Sequence, residues 1–188
     1  LKEVLALFID EINRLNEIDG CALNLIDRSR DEISCEMLSL PAEYDGVVDT
    51  FQNFRYSLAT NDINVAAFKQ HQTIVVDKHE IERYSRISVN QFLGWKCQSL
   101  ASIPLLLGDS IIGTVVIFKQ NGIVQPEELD VLESQIIPRF FKPIQNALLY
   151  ADLKRKEESI ERAIEEQQHF LRFISDVNNL TSVSSIYD

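Results

Sequence analysis

The sequence predicts an α+β fold: one central antiparallel β-sheet flanked by helices, with a long helix trailing from its C-terminal side. Three observations predict it. Residues 100–107 and 111–118 are two apolar runs around a Gly108-Asp109-Ser110 turn, the pattern of an antiparallel strand pair. Strand-like segments elsewhere are interrupted by helix-like ones, with a helix at each end, which leaves a sheet to be covered by helices. From Ile144 onward the chain reads as uninterrupted helix, about 34 residues and roughly 50 Å long.

The first element spans residues 1–18. Leu1, Val4, Leu5, Phe8, Ile12 and Leu15 recur at three- and four-residue steps, which draws one apolar stripe on a helix that Asp19-Gly20 ends. Residues 21–26 and 33–40 read as strands joined by the polar turn Asp27-Arg28-Ser29-Arg30-Asp31, so a hairpin is expected. Thr60-Asn61-Asp62 starts a short helix through Phe68, and residues 73–76 form a β-branched strand.

Asp77 with Glu80, and Ser88 with Gln91, match the capping box, and Val76/Ile81 and Ile87/Phe92 add hydrophobic staples. Two helices are predicted there. Pro104 lies inside the strand 100–107, where its missing N–H predicts an edge position or a bulge. Gln125-Pro126-Glu127-Glu128 opens a helix with proline first and acids in the first turn. Pro138 is expected to kink that helix and Pro143 to restart it.

The chain has 188 residues, 45% apolar and 25% charged, enough for one substantial core. Its net charge of −11 opposes nucleic-acid phosphates and anionic membrane surfaces. Cys21, Cys35 and Cys97 are odd in number, with no CxxC pair and no neighbouring histidine, which fits buried thiols in a reducing compartment. No apolar run spans a membrane and no signal-peptide order is seen, so a cytoplasmic location is expected. Beginning at Leu1 and stopping near a helix start at Ser184-Ser185-Ile186-Tyr187, the chain reads as a piece of a longer protein.

The run from Cys97 through Ser99, Pro104, Gly108 and Gly113 to Phe118 resembles the central strand pair of the GAF domain family: a serine, an apolar strand containing proline, a glycine turn, and an apolar strand led by glycine. Thr73-Ile74-Val75-Val76-Asp77 is similar to the family strand that ends in aspartate. Residues 127–132 and 145–150 are similar to its last helix. The resemblance covers roughly residues 1–150 and accounts for Pro104. It implies a GAF-like sensing domain over 19–143, after the helix 1–18, with a coiled-coil signalling helix at 144–178 and the start of a linker at 179–188. It also implies a regulatory, non-enzymatic role, ligand sensing and dimerisation, governing a covalently linked output or second sensing domain. It identifies no cofactor.

The residues carry little of the chemistry found in such relatives. A covalent bilin calls for a Cys-His pair, whereas Cys97 precedes Gln98. Of the cyclic-nucleotide pattern only Asn90-Gln91-Phe92 is present. A free methionine-sulfoxide reductase would rest on Cys97 beside Lys96, against a reading of Cys97 as a small apolar side chain. His169 is followed by Phe170, where a phospho-accepting histidine needs an acid or amide. His71 and His79 show no metal pattern.

What remains is aromatic. Phe54, Tyr56, Phe68, Tyr84, Phe92 and Trp95 fall in the stretch that covers the pocket in the family, and they are the candidate binders of a small organic ligand. Arg55, Arg83 and Arg86 nearby favour an organic anion. The alternatives are core packing for these rings, and a structural dimerisation module that binds nothing.

In the connector, Tyr150, Leu153, Glu157, Ile160, Ile164, Gln167, Leu171 and Ile174 advance by alternating three- and four-residue steps, the seam of a coiled coil. A parallel homodimer is expected, with residues 1–15 adding to its interface, and Glu158 and Arg162 forming a solvated pair.

Overall fold

The computed structural model describes residues 1–15, 18–44, 54–85, 89–90, 93–108 and 110–184, with side chains to residue 174. It divides into two compact units, Leu1–Gln145 and Asn146–Asp188.

Helix α1, Lys2–Asn13, buries Leu5, Phe8 and Ile12 of the stripe drawn by its spacing, with Ile9 beside them. Each such side chain contributes roughly 1.5–3 kcal/mol on leaving water. The helix stops well before residue 18. Its end tightens as Arg14 N–H donates to Glu11 C=O and Leu15 N–H to Ile12 C=O, while Asn13 reaches Ser39 Oγ at 2.8 Å.

Strands β1 (Gly20–Asp27) and β2 (Glu32–Ser39) form the expected hairpin. Strand β3 (Arg55–Ser57) pairs beside β2. With β4 (Ile74–Asp77), β5 (Ser99–Leu107) and β6 (Ser110–Lys119) they make one six-stranded sheet among the described residues. The order is β3-β2-β1-β6-β5-β4 and every neighbouring pair is antiparallel.

Pro104 sits in an interior strand, which the expectation of an edge did not foresee. Strand β4 pairs with β5 only from Ser99 to Ser102, so at Pro104 the β4 side of the strand is open. The register against β6 also shifts between Leu105 and Leu106. The proline thus tolerates an interior strand because its β4 side is unpaired, and the irregularity falls one residue beyond it. Beside that shift, a Cβ on Gly113 would lie 2.0 Å from the Asn24 carbonyl oxygen, so β1 and β6 approach closely only because this residue is glycine.

Alternation along the strands gives the sheet two faces. One carries Ala22, Leu100, Val116 and Phe118, which pack with Trp95, Ile63 and Val76. Helix α2, Ile63–Gln70, lies against this side. The opposite face carries Cys21, whose thiol meets Asn13 of α1 at 3.4 Å.

The Asp77/Glu80 signal yields less than a helix. The Asp77 carboxylate accepts the N–H groups of His79 and Glu80, but only a 3₁₀ turn, Ile81–Arg83, follows. Tyr84 is extended and Ser85 N–H donates to Asn61 C=O at 2.6 Å, which leads the chain away. The second signal, Ser88 with Gln91, lies outside the described residues.

Helix α3 (Pro126–Val131) opens as expected, with Glu128 accepting Gln125 N–H at 2.6 Å. The kink predicted at Pro138 takes the form of a π turn, Leu132–Ile136. A proline ring at residue 138 crowds the carbonyl of Ser134, four residues back, and widening the helix there relieves the clash. Helix α4, Ile137–Ser184, then carries Pro143 in its interior instead of restarting at it, and runs on past residue 178. Residues 145–188 contain neither glycine nor proline to stop it. Among the described residues no helix is long and apolar enough to cross a membrane.

Candidate functional site

The face of the sheet under α2 carries a buried polar network. Asp62 is the N-cap of α2, its carboxylate accepting the Asn64 N–H at 2.8 Å. The same Oδ1 accepts the Tyr56 hydroxyl proton at 2.8 Å. Asn64 Nδ2 donates to Tyr56 Oη at 2.9 Å, which fixes the amide so that its Oδ1 faces the sheet. There it accepts from Ser102 Oγ at 2.8 Å and Thr114 Oγ1 at 3.3 Å. Asn24 Nδ2 completes the chain with a bond to Thr114 Oγ1 at 3.2 Å. Side chains of β1, β3, β5, β6 and α2 are thus joined across the sheet.

Asp62, Asn64, Ser102, Thr114 and Asn24 are each at most 5% exposed. Groups so buried are costly unless paired, which makes the network a fixed arrangement. Burial, and then the negative charge of Asp62, push the Tyr56 hydroxyl well above its ordinary pKa. Tyr56 is therefore a neutral donor.

A small cavity of about 20 Å³ adjoins this network, lined in part by Phe54, Tyr56, Asn64 and Trp95. That is space for a single water. Of the six aromatic residues named from sequence, the structure brings Phe54, Tyr56 and Trp95 to this one place. The Phe54 and Tyr56 rings lie 5.9 Å apart, and Trp95 packs on Phe118 at 5.3 Å. Phe68 is elsewhere, against the cluster of Ile33, Leu58 and Val65, with the Arg28 guanidinium 5.7 Å from its ring. Tyr84 packs on the edge of the larger core cluster, and Phe92 lies outside the described residues.

Two of the three arginines expected to favour an anion, Arg55 and Arg83, do not line the cavity. Arg55 faces Glu32 at 4.0 Å and Arg83 faces Glu80 at 3.9 Å, both at the surface; Arg86 lies outside the described residues. Sequence reasoning missed the five buried polar residues beneath the rings. Their signal was present: Asn24, Ser102 and Thr114 are hydrogen-bonding residues at inward positions of otherwise apolar strands.

Cys97 is 5% exposed, and burial followed by the charge of Asp19 pushes its thiol up to about 12. Lys96, the reason for naming it, is exposed and contributes nothing to that shift. A thiol so placed is a poor nucleophile near neutral pH. Among the described residues no group of three or more His, Cys, Asp or Glu could hold a metal ion.

Along α4 the predicted seam faces water within this chain: Tyr150, Leu153, Ile160, Ile164, Leu171 and Ile174 are 40–72% exposed. Glu157 and Gln167 interrupt it, as the sequence indicated. Phe170 and Phe173 are also exposed, Phe170 beside the stripe and Phe173 on another face of the helix. The expected Glu158–Arg162 ion pair is absent, because Arg162 Nε donates to the Glu158 backbone carbonyl at 3.2 Å; Lys156 and Asp152 pair instead, at 2.9 Å.

The family model of the GAF domain matches residues 1–136, the stretch that holds the whole sheet and the network. The chain belongs to the GAF domain family. GAF domains are sensory and regulatory domains of signalling proteins. Solved structures agree on the fold. The GAF domain/HD domain protein from Geobacter sulfurreducens is 13% identical, with a TM-score of 0.64 over 79% of this chain and 95% of that one. The GAF domain of a two-component sensor histidine kinase from Bacillus halodurans is 17% identical, with a TM-score of 0.63 over 80% and 97%. The second GAF domain of DevS from Mycobacterium smegmatis is 16% identical, with a TM-score of 0.54 over 78% and 97%. No curated protein matches the chain.

Proposed function

We propose that this GAF domain is a ligand-sensing and dimerising regulatory module of a cytoplasmic signalling protein, and that it passes its state through α4 to a linked output or second sensing domain. The observation that carries the reading is the continuity of α4. Ile144, in the first unit, is 3% exposed, and the same helix runs on to Ser184 with an apolar stripe in water. An apolar seam at alternating steps of three and four is stable when it meets its copy. In a parallel homodimer it would bring two outputs together, and the polar interruptions at Glu157 and Gln167 suit a helix pair that must shift or separate. Helix α1 has already spent its main stripe inside its own domain, so of its large apolar residues only Leu7, 61% exposed, is offered to a partner.

Sedimentation of Ile160→Glu and Ile164→Glu variants tests the dimer. A buried, unpaired charge in the seam costs several kcal/mol, so monomers are expected at micromolar concentration; variants that stay dimeric would end the proposed route of output.

Ligand binding on the network face is the sensing half of the proposal. The size of the cavity, about 20 Å³, favours a second reading in which the domain dimerises and binds nothing there. Native mass spectrometry of freshly purified protein separates the two: a retained small molecule supports sensing, and an unliganded mass supports the structural module. A reductase built on Cys97 predicts methionine-sulfoxide turnover with a thiol reductant. None is expected, and a clear rate would overturn the regulatory reading.

A further inference from the structure

Beyond the end of β4, the open edge of β5 borders a cleft of about 770 Å³, between the end of α2 and the root of α4. Its floor is Ile103, Pro104 and Leu106, where β4 no longer covers the outer side of β5. Its wall is Ile137, Pro138 and Phe141, directly after the π turn. The volume falls within the ~300–1,000 Å³ usual for small-molecule sites.

The polar rim is uneven. Glu133, the one acid among the lining residues, already accepts the Thr73 hydroxyl at 2.5 Å. Arg139 is shared with Glu11 at 4.0 Å. Lys142 and His71 line the cleft with no carboxylate in ion-pair reach among the described residues. A cation left open beside an apolar hollow, in a protein of net charge −11, is complementary to an anion with an apolar body.

We propose that this cleft binds a small amphipathic monoanion, an aliphatic chain or ring bearing one carboxylate. The apolar part lies over Ile103, Leu106 and Phe141, and the carboxylate meets Lys142 at the rim. The proposal does not depend on the dimer reading, because the cleft is complete within the first unit.

Isothermal titration with decanoate, below its micellar concentration, tests it, with decyltrimethylammonium as the same tail under the opposite charge. Decanoate is expected to bind saturably at one site per chain, and the cation not to bind. Lys142→Glu and Leu106→Glu alter exposed side chains and should each weaken decanoate about tenfold or more, the loss of one charge-assisted contact or of the apolar floor. If one variant fails to fold by circular dichroism, the other decides. Unsaturable binding, equal binding of the cation, or affinity unchanged in the folded variants would overturn the proposal. So would loss of decanoate in Tyr56→Phe, which would place the ligand at the small cavity beside the polar network. A parent that binds no decanoate but whose Leu106→Glu variant sediments as a smaller species would make the cleft a protein interface and likewise overturn it.

Discussion

Lys119 at the end of β6 and Glu128 in the first turn of α3 form an ion pair at 2.7 Å whose side chains are only 10% and 11% exposed. The second oxygen of Glu128 accepts the Gln125 N–H that opens α3. One carboxylate therefore ties the sheet to the helical segment that becomes α4. Glu128→Gln or Lys119→Met should each destabilise the domain by about 1.5–3 kcal/mol in urea unfolding, because each removes a charge-assisted hydrogen bond from a place where water is scarce. Singles that unfold like the parent would show the pair to be solvent-screened.

Tyr56→Phe removes one hydroxyl from the network while keeping the ring. The Asp62 carboxylate then loses a donor and Asn64 Nδ2 an acceptor. A cost of about 1–3 kcal/mol is expected, since both groups are left inside the protein. A change below about 0.5 kcal/mol would show that water replaces the hydroxyl readily.

Five of the six strands, the hairpin turn at Gly108 and the opening of α3 were legible because each rests on local chemistry: alternation, a φ of +60° at Gly108, and proline at the first helical position; the short strand Arg55–Ser57 was not. The helix after Asp77 was not, since its end is set by the bond from Ser85 to Asn61, a contact distant in sequence. The site was half legible. Aromatic rings announce themselves, but which of them converge depends on pairing across the sheet. Phe68, five residues from the first residue of α2, meets Arg28 and does not line the cavity. The cleft at Pro104 had one sequence signal, a proline in an apolar strand, whose meaning depends on how far β4 extends.

Gly113→Ala should be severe, because its new Cβ would meet the Asn24 carbonyl oxygen at 2.0 Å and backbone cannot step aside cheaply. A loss of about 3 kcal/mol or more, or an insoluble product, is expected. Gly94→Ala is the control, as a Cβ there meets nothing within 4 Å. Equal behaviour of the two variants would show that β1 and β6 can separate at this point.

Alkaline pH should unfold the domain through its thiols. Burial comes first among the causes that push Cys21, Cys35 and Cys97 from an ordinary 9.0 up to about 12. In the unfolded chain these thiols lose protons near their ordinary value, while the folded protein holds them. Between those limits the unfolded state binds fewer protons, so stability is full below about 9 and falls as pH rises toward 12. Three such groups give a slope approaching 4 kcal/mol per pH unit, enough to exhaust a typical stability of about 5–15 kcal/mol within a few units. Tyr56, also held neutral, adds to the slope above its ordinary 10.0. Melting temperature should therefore be flat from pH 7 to 8.5 and drop steeply beyond. Replacing any one cysteine by alanine should reduce the slope by about a third, while its packing cost shifts the whole curve without changing its steepness. Thiols that react with a disulfide reagent in the folded protein at pH 8, or a melting temperature that holds to pH 11, would contradict the buried placement of these three side chains.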